Sequence, residues 1–218
     1  MDQALQTADA PIEKAPVQPR RITWYIFGVM FGINLLNYLD RYIFSSIAST
    51  VAKDLHFGLD GIGFIASAFL IVYTVFTLPL GFLADSVSKK RMIAFCTILW
   101  STSTVFSALA GNFLSLFFTR MLLGIGEAGY YPAGTALLSQ NFPPSKWGKV
   151  LSWWNVGATV GLMTGFILGG MIVSSFPQGW RYAFVISSIP GLLLGILTWK
   201  FPGREPETKK TEPHSPDA

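Results

Sequence analysis

The sequence predicts an all-α integral membrane protein built as a bundle of six membrane-spanning helices. Three observations carry this. Apolar residues make up 51% of the 218 and charged residues only 13%, where a soluble domain carries about 25% charged residues. The mean hydropathy is +0.45, and the apolar residues are spread through the chain in long runs rather than gathered for one central core. Between the runs, lysine and arginine collect on alternate connections, as orientation in a bilayer requires.

By length and hydropathy the spans run roughly over 22–50, 61–84, 92–110, 113–140, 148–174 and 181–200. The connections are short, which predicts antiparallel neighbours. One side of the membrane collects Lys14, Arg20, Arg21, Lys89, Lys90, Arg91, Lys146, Lys149, Lys200, Arg204, Lys209 and Lys210, and the other has Lys53 and Arg181. The positive-inside rule puts the first group, and with it both termini, in the cytoplasm. The membrane itself is expected to be the cell's inner or plasma membrane. Trp24, Trp147, Trp180 and Trp199 fall near span ends, where interface aromatics belong.

The same clustering explains the net charge of +4 without nucleic acid as a partner. Residues 1–20 lack the apolar core of a signal peptide and read as a disordered cytoplasmic tail, with 202–218 as a second. Residues 21–201 are the membrane bundle. One cysteine, Cys96, excludes a disulfide framework or a cysteine-based metal site. His56 and His214 form no ligand cluster, and no nucleophile has a base nearby, so no enzyme, cofactor or metal is expected.

The first span carries Asn34, Asn37, Tyr38, Asp40, Arg41, Ser45 and Ser46, with Asn34, Asn37, Arg41 and Ser45 on one helical face. The second span is apolar and ends in a basic loop. The third contains no charge and reads as a packing helix. The fourth holds Arg120 and Glu127 inside an apolar run. Seven residues separate them, which places them on one face and roughly 10 Å apart along the axis. Gly124, Tyr131 and Thr135 continue that face. Opposite helix directions bring Arg120 to the depth of Asp40 and Arg41, in the outer half, with Glu127 near the middle.

The fifth span repeats glycine at 157, 161, 165 and 169, a stripe for close helix approach. Ser152, Asn155, Thr159 and Met163 lie about a half-turn away. The sixth is plain, with Pro190 and Gly191 expected to kink it. Charges in spans one and four hint at two three-helix repeats. Gly124 to Gly129 spells G-x-G-x-x-G, but a dinucleotide loop needs a preceding strand and water, so helix packing is the better account.

Ionisable groups inside a span are functional candidates by default. Asp40, Arg41, Arg120 and Glu127 nearly neutralise one another, so a structural ion cluster is one reading. The other is a site. A guanidinium offers paired donors that match a carboxylate, and a glutamate in a span can carry a proton through a cycle.

Gly81-Phe82-Leu83-Ala84-Asp85 followed by Lys89-Lys90-Arg91 resembles the loop between helices two and three of the major facilitator superfamily. The chain departs from that pattern at Ser86, where a base is usual, and at Ser88, where glycine is usual. Asn37-Tyr38-Leu39-Asp40-Arg41, Arg120 with Glu127-Ala128, Tyr131-Pro132-Ala133 and Phe142-Pro143-Pro144 resemble the anion:cation symporter branch, which includes sialin and hexuronate carriers. The Asp-Arg pair, Gly-Glu-Ala and Arg204-Glu205-Pro206 also resemble Spinster-type lipid transporters.

The resemblance implies half of a twelve-helix fold, with the substrate held between two halves. It implies proton-coupled symport of a small organic anion by alternating access. Arg41 and Arg120 would hold the anion, with Asn37, Tyr38, Tyr131 and Asn155 as further cavity residues. Glu127 would couple the proton, tuned by Asp40. Gly81, Asp85, Lys89, Lys90 and Arg91 would form the gating loop. The partners implied are the lipid bilayer, the anion, a proton and a second six-helix half, separate or missing by truncation. A half-transporter that carries nothing and acts as a scaffold or regulatory subunit is the alternative from another class.

Overall fold

The computed structural model describes residues 19–200. The two tails, and the basic residues Lys14, Arg204, Lys209 and Lys210, lie outside the described residues apart from the tail's last two positions. Six long helices follow one another: α1 (Arg20–Asp54), α2 (Leu59–Ser86), α3 (Lys89–Ala108), α4 (Phe113–Asn141), α5 (Trp147–Ser175) and α6 (Gly179–Trp199). A 3-10 turn, Pro144–Lys146, precedes α5. The helices match the spans expected from hydropathy, because a bilayer leaves the backbone no other way to satisfy its own hydrogen bonds.

Four helices are long and apolar enough to cross a membrane by themselves, and α3 and α4 are not. Their polar groups are turned inward. In α3 the hydroxyls of Thr97, Ser103, Thr104 and Ser107 donate to carbonyls one turn back, at 2.7–3.0 Å, which hides each donor within the helix. In α4, Arg120 and Glu127 are buried. Both helices suit a bilayer only inside the bundle.

Short connections predict that chain neighbours pack, and this holds well only for α3 with α4. α1 touches α2 sparingly, as does α2 with α3 and α4 with α5; the broad interfaces are α1–α5, α3–α4, α3–α6 and α2–α4, with α1–α6 of intermediate extent. Small residues decide this rather than loop length. A Cβ on Gly161 would strike the Leu35 carbonyl oxygen, and one on Gly165 would lie 2.7 Å from that of Leu39. The α5 stripe is therefore a seat for α1. Gly124 faces the α2 backbone at Phe69, and Gly126 faces the α3 backbone at Trp100, with Cβ approaches of 3.1 and 2.8 Å. The G-x-G-x-x-G run is thus a packing surface. On α6, Gly191 and Gly195 seat against Ser101 and Ile98 of α3.

Exchanging α1 with α4, α2 with α5 and α3 with α6 maps the interface set onto itself. α1–α5 becomes α4–α2, α3–α4 becomes α6–α1, and α3–α6 is its own image. This is the pattern of two three-helix repeats. α6 continues as helix through Pro190. One expectation changes. Trp24, Trp147 and Trp199 are exposed, but Trp180 is 1% exposed, with its indole N–H donating to Asp54 Oδ2 at 3.0 Å.

Candidate functional site

α1 and α4 stand at the centre of the exchange pattern, and their charged faces meet. Arg41 Nη2 donates to Glu127 Oε2, an ion pair joining the two helices. The Arg41 guanidinium also lies over the rings of Tyr38, Phe69 and Tyr73, at 5.4, 5.0 and 5.1 Å. Its side chain keeps 28% of its surface exposed while that of Glu127 has none. Asn37, one turn before Arg41, is buried beside Glu127.

The other two charges make a second, deeper group. Arg120 is buried with its guanidinium against two rings that stack on each other, Phe44 of α1 and Phe184 of α6, each 4.4 Å away. Asp40 is buried too, with Arg120, Glu127 and Ser187 of α6 as its neighbours. The Ser187 hydroxyl donates instead to the Phe184 carbonyl at 3.2 Å. All four charges therefore come together as their spacing and depth predict. Among the described residues the ion pair within the four joins Arg41 to Glu127, while Asp40 lies near both Glu127 and Arg120 without a hydrogen bond to either.

Hydrogen bonding in this cluster is incomplete. Both Asp40 carboxylate oxygens, Glu127 Oε1, Asn37 Nδ2, Arg41 Nε and two Arg120 nitrogens are buried without a hydrogen-bond partner among the described residues. Native interiors rarely leave so many polar atoms unmet in one place. A cavity of 300 Å³ reaches both arginines from between α1, α2 and α4, with Phe44, Ile65, Phe69 and Leu70 in its wall. It combines apolar walls with two guanidinium groups.

The outlying candidates are engaged elsewhere. Tyr131 stacks on Trp154 at 5.0 Å. Asn155 is exposed, and its Nδ2 donates to Leu151 O at 2.9 Å. Tyr38, by contrast, stays at the cluster, with its ring facing the Arg41 guanidinium and stacked on Tyr42 at 6.4 Å. At the loop between α2 and α3, Asp85 and Arg91 are exposed, Lys89 is buried, and Gly81 and Lys90 are partly buried. Ser88, where the pattern prefers glycine, accepts from the Arg91 amide at 3.3 Å and caps α3. A serine suits that position because it satisfies an amide that the first helical turn leaves open.

Several contributors were not singled out from sequence. α6 read as plain, yet it supplies Phe184 and Ser187. The buried series Ala183, Phe184, Ser187, Ser188, Gly191, Gly195 and Thr198 recurs at three and four residues, a signal of an inward face. Asn34 Nδ2 donates to the Trp154 carbonyl at 2.8 Å. Trp154 Nε1 and the Tyr130 hydroxyl both donate to Met30 O, at 3.0 and 3.1 Å. These bonds pin α1 to α4 and α5 one or more turns from the charges.

Residues 30–217 match the Major Facilitator Superfamily. The chain is 33% identical over 180 residues to an MFS-type efflux pump of Mycolicibacterium smegmatis, covering 82% of this chain and 41% of the pump. It is 30% identical over 202 residues to the probable galactarate/D-glucarate transporter GudP of Bacillus subtilis, covering 88% of this chain and 44% of GudP. It is also 30% identical over 177 residues to the protein spinster of Drosophila melanogaster, covering 81% and 29%. The fold is similar to an inward-facing, unoccupied crystal structure of a bacterial homolog of the human lysosomal transporter Spinster. The TM-score is 0.81 at 25% identity, covering 91% of this chain and 46% of the other. The proton:xylose symporter XylE shares the fold with a TM-score of 0.75 at 19% identity, over 84% and 45%. The chain thus spans less than half the length of these relatives. Its six helices, their repeat pattern and the match over 30–217 show that the chain belongs to the Major Facilitator Superfamily, a family of membrane transporters and not of enzymes.

Proposed function

We propose that the chain is the N-terminal half of a secondary transporter that carries a small organic anion together with a proton by alternating access. The observation that carries this is the Arg41–Glu127 ion pair across α1 and α4 at the wall of an arginine-lined cavity. While Glu127 is ionised it occupies Arg41. Protonation of Glu127 removes its charge and frees the guanidinium for a carboxylate. Proton and anion then bind together, which is the elementary requirement of symport. Arg120 adds positive potential from behind, and Asp40 balances Arg120 so that Arg41 is the base released. Kinship to GudP, named for two sugar diacids, supports an anionic substrate. Kinship to spinster and the apolar cavity wall support a Spinster-type lipid carrier as the second reading.

Exposed polar stripes favour a partner. Ser45 and Ser49 continue from Arg41 along α1, and Ser152, Asn155 and Thr159 run along α5, all open to the surroundings. Such a surface is poorly suited to lipid, so a second six-helix half is proposed to cover it, with Asp85 and the basic loop as the gate between halves. Both termini are proposed to be cytoplasmic in a plasma or inner membrane.

The test is uptake of labelled galactarate or glucuronate into proteoliposomes under an imposed proton gradient, with a second six-helix half supplied. Glu127→Gln is expected to abolish gradient-driven accumulation while anion exchange without a gradient persists. Gradient-driven uptake unchanged in that variant would remove Glu127 from the coupling role.

A further inference from the structure

A second, larger cavity lies at the opposite end of α1, with a volume of 680 Å³. Its walls come from the first two turns of α1, the end of α4 and the start of α5. Phe27, Phe142 and Val150 make its apolar floor. Trp24 and Trp153 stand at its rim, 54% and 57% exposed, and Trp24 meets Phe27 and Phe142 edge-on at 5.7 and 6.0 Å. Arg20, Lys146 and Lys149 bring positive charge to the lining, which among the described residues contains no aspartate or glutamate.

Two helix N-termini add to this positive field. α1 starts after Pro19 and α5 after Lys146, and neither has a side-chain cap or an acidic residue in its first turn. Backbone carbonyls already engage amides there, Pro19 O those of Ile22 and Thr23 and Pro144 O that of Trp147, so what the two helix starts add is the positive end of their dipoles, which favours an anion nearby. Depth along α1 identifies the layer. Arg20 lies 21 residues before Arg41, roughly 30 Å along the axis. With Arg41 a little beyond the midplane, Phe27 falls at the edge of the hydrocarbon and Arg20 among the headgroups.

We propose that this groove binds one anionic phospholipid of the adjoining leaflet. Its phosphate sits among Arg20, Lys146 and Lys149, and its glycerol and first acyl carbons lie against Phe27, Phe142 and the two tryptophans. Free phosphate would engage the cations and leave the aromatic wall bare. A zwitterionic lipid would bring its ammonium group against three cations. An anionic lipid satisfies both surfaces. The proposal needs only the membrane placement of the bundle and is independent of what the chain transports.

Native mass spectrometry of the full chain, released from nanodiscs of equal phosphatidylglycerol and phosphatidylcholine, tests it. One phosphatidylglycerol is expected to be retained per chain, preferred over phosphatidylcholine on the order of tenfold. Lys146→Gln with Lys149→Gln should erase that preference, and Lys146→Arg with Lys149→Arg should keep it. Lys53→Gln, at the far end of α1, should leave it unchanged. If the double glutamine variant fails to fold, Arg20→Gln provides the same reading. Equal retention of the two lipids by the unaltered chain would overturn the proposal, as would a preference that survives the glutamine pair. Loss of the retained lipid on co-expression with a second six-helix half would assign the groove to that partner instead.

Discussion

Arg41 and Arg120 are chemically the same and sit in one cluster, yet their surroundings give them different work. Arg41 is partly open, rests over three aromatic rings and holds a carboxylate that can be neutralised. Arg120 is buried against the stacked rings of Phe44 and Phe184, with Asp40 nearby. Removing one member of a buried charge pair leaves the other uncompensated, at about 3–5 kcal/mol, whereas removing both can be nearly neutral. Arg120→Leu is therefore expected to lower the thermal midpoint of the purified protein sharply. Adding Asp40→Asn should recover most of the loss. A thermal-denaturation double-mutant cycle measures this, and additive losses would show that the two groups do not act as a pair.

At the scale of the helix, contact is set by where side chains are missing. Gly161 lets α5 lie on the α1 carbonyl of Leu35, a backbone atom with no freedom to retreat. Gly161→Ala is expected to destabilise the bundle by about 1–3 kcal/mol. Gly170 lies on the same helix with open space around it, so Gly170→Ala should stay within about 0.5 kcal/mol of the unaltered protein or gain slightly from helix propensity. The comparison is made by detergent-solubilised melting curves of the two variants. The glycine stripe was legible in sequence as a packing face. Its partner was not, since spacing along one helix carries no information on which helix fills the groove.

Across the whole molecule, the end of the bundle opposite the basic loops is tied by one residue that sequence marked only as a loop charge. Arg181 Nη1 donates to the carbonyls of Ala108 and Ala110 at 2.6 and 2.9 Å. Its guanidinium lies 4.1 Å over the Trp180 ring and 3.8 Å from Asp54. It thus joins the start of α6 to the ends of α3 and α1 and places a cation at the carboxyl end of α3, where the helix dipole favours it. Arg181→Ala is expected to cost about 1.5–3 kcal/mol, the value of hydrogen bonds from a charged donor. Urea or thermal unfolding measures it, and Arg181→Lys should restore only part, because one ammonium cannot reproduce the fork.

Helix number, approximate helix limits and the meeting of the four charges are readable from the chain. Each is imposed by the bilayer, which demands about 20 apolar residues per crossing and makes any buried charge conspicuous. Pairings were beyond that reading. Nothing in the spacing of Asp40 and Arg41, adjacent in sequence, says that Arg41 pairs with Glu127 while Asp40 lies near both Glu127 and Arg120. That choice follows from α1 lying between α5 and α6, with Phe184 and Ser187 brought in from a helix that looked featureless. The cavity at Arg20, Lys146 and Lys149 belongs to the same class, for Arg20 lies more than a hundred positions from the two lysines. Hydropathy and charge are properties of a segment and are written locally. Contacts between helices depend on the fit of two surfaces, and only the folded bundle contains both.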